Sequence, residues 1–70
     1  MTGGLLGRGR SIVAEGGGVL ARMDVYEPAG GAPRVSVEIT EGGRVVWAAD
    51  DCAYEPSAQG LMRAVEEHAS

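Results

Sequence analysis

The chain has one cysteine, Cys52, and contains no lysine, phenylalanine or asparagine; aromatic residues make up 4% of its 70 residues. A lone thiol excludes an intrachain disulfide framework. A chain this short buries only about 60% of the surface that its unfolded form exposes, so its stability is thin, and self-association is the expected supplement. The three missing residue types share AT-rich codons while Gly, Ala, Arg and Val abound, which points to a high-GC genome, bacterial or phage. No basic start followed by an apolar stretch and a cleavage site is visible. No apolar run approaches the length of a bilayer span, so no membrane partner is expected and the cytoplasm is the expected address. Basic residues are also scarce. Six arginines against ten acids leave a net charge of −4 and a pI near 4.7, which argues against direct nucleic-acid binding and suits a basic partner protein.

The stretch Val35–Ala49, V-S-V-E-I-T-E-G-G-R-V-V-W-A-A, reads as a β-hairpin. Closing it with a three-residue loop, Glu41, Gly42 and Gly43, sets Val35, Val37 and Ile39 opposite Ala49, Trp47 and Val45 on one face. A two-residue Gly-Gly loop would pair Trp47 with Glu38, so the apolar pattern favours the longer loop, with a glycine bulge inside it. Upstream, Ser11–Glu15 and Val19–Glu27 read as two more strands around Gly16-Gly17-Gly18, with Val19, Ala21, Met23 and Val25 on one side and only Leu20 out of step. The segment from Pro28 to Pro33 is a connection. Met1–Arg10 has four glycines and two arginines without periodicity and reads as a flexible tail; its R-G-R lacks the interleaved aromatics of a nucleic-acid arm. Pro56 suits the first turn of a helix, with Ser57 the alternative cap, and Ala58, Leu61, Met62 and Val65 recur at helical spacing. Gly60 weakens that helix unless it permits a close approach. The expected fold is α+β: residues 11–70 form one domain, an antiparallel four-stranded meander of two hairpins with a C-terminal helix packed on one sheet face.

Chemistry-bearing groups are few. Cys52 and His68 are the sole thiol and sole imidazole, and nothing else about their setting suggests catalysis: Cys52 suits a small buried position and His68 a helix C-terminus. Asp50, Asp51 and Glu55 are the densest acidic group, but their spacing matches no calcium loop. The expectation is therefore a non-enzymatic protein with no catalytic residue, no metal, no cofactor and no small-molecule substrate. Asp24, Tyr26, Glu38, Thr40, Arg44 and Val46 should share the sheet face that the helix leaves bare, with Val46 opposite Glu38. Two functions fit. In the first, Glu38, Glu41, Asp50, Asp51 and Glu55 form an acidic patch, joined by Val46 and Tyr26, that occupies the basic surface of a partner such as a nucleic-acid-binding protein, as an inhibitor or immunity protein does. In the second, the exposed face or a sheet edge pairs with another copy in a homo-oligomer.

The runs V-Y-E-P-A-G-G, R-V-S-V-E-I-T-E-G-G-R-V-V-W and A-Y-E-P-S-A-Q-G-L-M-R-A-V, within Asp24–His68, resemble the short YegP-type domain, a β-β-β-α unit often found in tandem. The likeness lies in an aromatic ending the first strand, a glycine at the second turn, a tyrosine before the helix and the spacing of apolar helix positions. This chain has Gly-Gly where that family has Asn-Gly, and no lysine. Because the unit tends to occur paired, the resemblance implies that a single copy dimerises. It implies a fold rather than an activity.

Overall fold

A computed structural model describes residues 7–69. Four strands, β1 (Gly7–Gly16), β2 (Val19–Pro28), β3 (Arg34–Glu41) and β4 (Arg44–Ala49), form one antiparallel sheet in the order β1-β2-β3-β4, and one helix, α1 (Ala58–His68), follows. The expected α+β meander is what forms. β1 begins at Gly7, however, so residues 7–10 belong to the sheet instead of a tail; the rest of the expected tail lies outside the described residues. Arg10 lies directly opposite Val25 and sends its Nη2 to the carbonyl oxygen of Pro56, 3.1 Å away, so it straps the chain before α1 onto the first strand.

Alternation builds the core. In β2, Ala21, Met23 and Val25 are buried while Arg22 and Asp24 face water, and β3 repeats the pattern with Val35, Val37 and Ile39. The registers set Ala21 against Ile39, Met23 against Val37 and Val25 against Val35, so the two central strands present a single apolar face. Leu61 and Ala64 of α1 complete it.

The β3–β4 hairpin corrects the expected register. Gly42 and Gly43 alone form the loop, with φ of 61° and 83°, and Glu41 pairs with Arg44. Two consecutive positive φ values make the tight turn whose twist matches the strands, a conformation open to glycine and strained for other residues. The expected bulge does exist, but it lies in the strand: the register shifts between Ile39 and Thr40, Val46 is the extra residue, and Trp47 returns opposite Ile39 and Ala49 opposite Val37. Trp47 therefore reaches the core face by a different route. Val45 pairs with Thr40 on the open face, and Ala48, not Val46, opposes Glu38.

After β4, Asp51 takes a left-handed φ of 57°, and the Cys52 N–H returns to the Val35 carbonyl oxygen at 2.7 Å. Ser57 is the N-cap of α1, accepting the Gly60 N–H on its Oγ at 3.2 Å, and Pro56 precedes the cap. The buried stripe is Gly60, Leu61 and Ala64 with Val65 half-buried; Ala58 and Met62 are exposed, contrary to the expected stripe. The small residues explain this. A methyl group on Gly60 would overlap the carbonyl oxygen of Glu55, so the close approach is to the preceding loop and not to a strand.

Candidate protein-binding surface

α1 covers one face of the sheet and leaves the other bare. The registers arrange the bare face in rows across the strands: Glu15, Leu20, Thr40 and Val45; then Val13, Arg22, Glu38 and Ala48; then Ser11, Asp24 and Ser36; then Gly9, Tyr26 and Arg34. Leu20, out of step with the apolar side in the sequence, lies here and is exposed. Val13 is 59% exposed and Val45 56% exposed, large fractions for valines in a chain with so little core.

The middle of this face is polar and ordered. Ser11 Oγ donates to Asp24 Oδ1 at 2.6 Å, and Arg22 Nε lies 3.2 Å from the same oxygen. The hydroxyl of Ser11 is the main reason that the Asp24 carboxyl titrates below its ordinary value; burial opposes it, and Arg22 adds to the lowering. Both partners of the ion pair are at least half exposed, so it contributes little to stability.

The expected acidic patch is divided. Glu41 ends β3 beside the Gly42-Gly43 turn, at the end where Gly42 N–H also meets the Gly18 carbonyl oxygen. Asp50, Asp51 and Glu55 lie in the β4–α1 connection at the opposite end, where Cys52 joins Val35, and all three are exposed. Glu38 sits between these ends on the open face, paired with Arg22 and Ala48. Val46 is the exposed bulge residue of β4, and Tyr26 pairs with Arg34 at the far corner of the face. The structure thus brings Asp50, Asp51 and Glu55 into one segment, with Tyr26 at the same end of the sheet two strands away, and sets Glu41 at the opposite end.

Cys52 and His68 do not meet. The Cys52 thiol donates to the Ala49 carbonyl oxygen at 3.3 Å, and burial pushes its titration upward, away from a reactive thiolate. Among the described residues no three His, Cys, Asp or Glu side chains gather closely enough to hold a metal ion.

His68 instead joins a cluster that the sequence conceals. Its ring stacks on Trp47 with centroids 3.7 Å apart and planes 6° from parallel, and Tyr54 stands edge-on to both. The Tyr54 hydroxyl donates to Glu67 Oε1, so its oxygen is left to accept from His68 Nε2, 3.0 Å away, which places the imidazole proton on that nitrogen. The bond to Glu67 holds the Tyr54 phenol protonated up to about 12, so it is no base at neutral pH. Chemically the cluster is a clasp: it ties the β4–α1 connection to the last turn of α1 and roofs the half-buried Trp47. No local motif marks it, since its members are distant in sequence except Glu67 and His68.

Compared with family models, curated proteins and solved structures, this chain matches none. Among the described residues no helix is long and apolar enough to cross a membrane.

Proposed function

We propose that this chain is a non-enzymatic protein-binding module whose first partner is a second copy of itself. The observation that carries the reading is the bare sheet: among the described residues four strands share one eleven-residue helix, so a whole face, with Val13, Leu20, Val45 and Val46 exposed on or beside it, has no cover. A domain this small gains core only by adding protein to that surface, and sheet faces and edges accept it readily. Sedimentation of the purified chain across a wide concentration range tests this. The expected result is reversible association, and a monomer at every concentration overturns it.

A second reading, that of an acidic protein occupying a basic partner surface, rests on Asp50, Asp51 and Glu55, which stand exposed together in the β4–α1 connection. It requires an affinity that falls steeply with salt, and slower association when Asp50 and Asp51 are both changed to asparagine. Salt-independent binding to a basic partner eliminates it.

A further inference from the structure

The two edges of the sheet are built differently. β4 is six residues long, carries the Val46 bulge and runs into Asp50 and left-handed Asp51, features that discourage further strand pairing. β1 is ten residues long, holds one uninterrupted register with β2, and has neither proline nor bulge. Arg10, on its helix side, is turned onto the Pro56 carbonyl oxygen and does not guard the edge.

The turn at Gly17 and Gly18, both at positive φ, makes Gly16 and Val19 the hydrogen-bonded closing pair. With the register constant, even-numbered residues of β1 bond toward β2, and Ser11, Val13 and Glu15 direct their N–H and C=O groups outward, where no strand of the described residues lies. Beside this edge, on the helix side, Ala14, Val19, Ala21, Met62 and Val65 line an apolar groove of about 150 Å³.

Resting on the reading of self-association, we propose that two copies pair antiparallel through β1 about a two-fold axis at Val13, joining their sheets into one. That register sets Ser11 opposite Glu15 of the second copy, where hydroxyl and carboxylate can bond, and Ile12 opposite Ala14 of the second copy, at the mouth of the apolar groove. The neighbouring register, with its axis at Ile12, would put the Arg10 guanidinium opposite Ala14 at that groove, and an axis at Ser11 would set Arg10 against Ile12. Of these three registers, only the Val13 axis matches apolar with apolar on the helix side and leaves Arg10 opposite glycine, free to keep its bond to Pro56. The second occupant is thus chosen by self-complementarity of the edge together with the groove.

The test uses the full chain. Val13→Pro removes an N–H that points outward and serves no bond among the described residues, so native mass spectrometry should show loss of the dimer with an unchanged far-UV circular dichroism spectrum. Independently, in a Cys52→Ser background, Val13→Cys should form an intermolecular disulfide on mild oxidation, because paired residues at the axis lie about 5.5 Å apart between Cα atoms. Ile12→Cys should not, since its symmetry mate would be a diagonal neighbour at about 7 to 8 Å, near or beyond bridging reach. A folded Val13→Pro variant that still dimerises, or cross-linking that favours Ile12→Cys, overturns the edge arrangement while self-association stands. If Val13→Pro fails to fold, the cysteine pair decides alone. A parent chain that stays monomeric removes both proposals.

Discussion

The two faces of the sheet obey one alternation yet end as chemical opposites, and the strands responsible are not equally responsible. On the covered face, β2 and β3 supply six buried side chains in strict period two, and Met23, Ile39 and Leu61 are completely enclosed. On the open face the same strands present Arg22, Asp24 and Ser36, but the outer strands add Val13 and Val45, both more than half exposed. Apart from Leu20 of β2, the central strands are therefore written for a folded monomer, whereas the edge strands mix that demand with apolar residues that the monomer does not use. Substitutions on the two faces should separate accordingly.

The largest effect belongs to the covered face. Leu61→Ala empties a site enclosed by both sheet and helix and should cost about 2 to 5 kcal/mol, enough to unfold much of so small a domain; thermal or urea unfolding measures it. Trp47→Ala should fall below the roughly 3 to 5 kcal/mol of a fully enclosed aromatic, because Trp47 is half-buried under His68. A Trp47 variant less stable than the Leu61 variant would move the centre of the core from β2 and β3 to β4.

Gly60→Ala comes next and tests a sign. Helix propensity alone favours alanine by about 1 kcal/mol, but the added methyl meets the backbone of Glu55, which cannot swing aside as a side chain would. The variant should be destabilised by about 1 to 3 kcal/mol, the range of overpacking. Stabilisation on chemical denaturation would show that the Glu55 loop yields.

The aromatic clasp gives a pH signature. The folded Tyr54 phenol is raised from 10.0 to about 12, so its protonated form is favoured in the native state. The stability linked to it is complete below pH 10 and is lost as pH rises toward 12. The group is exposed, so the effect is modest. Ultraviolet titration at the tyrosinate band should show a late-titrating phenol that Glu67→Gln moves back toward the ordinary value. An unmoved titration would remove Glu67 as the cause.

Much of the fold was legible because its central strands are consistent at every level: apolar period two, turn glycines and the cap Ser57 all agree. The errors fall where two devices give the same outcome. A three-residue loop and a two-residue loop with a later bulge both bring Trp47 to the core face, and the side-chain pattern cannot distinguish them; what does is the strand position of the extra residue, Val46. Arg10 and His68 were illegible for another reason. Their partners, Pro56 for one and Trp47 and Tyr54 for the other, are distant in sequence, so no local periodicity announces them. The binding surface was legible as a bare face, whereas the contrast between the open β1 edge and the bulged β4 edge needed the topology.

The smallest effect should come from the open face, and Leu20→Thr is its sharpest probe. Leu20 pairs with Glu15 on one side and Thr40 on the other, is 41% exposed, and lies on the face opposite the buried Ala21 and Ile39. Threonine introduces the β-branched shape that strands favour and removes apolar surface that is partly in water already. Unfolding of the monomer, followed at a concentration too low for association, should therefore shift by no more than about 0.5 kcal/mol. Any larger loss that grows with protein concentration would mean that Leu20 is buried by a second copy, and would place the contact on the face in addition to the β1 edge.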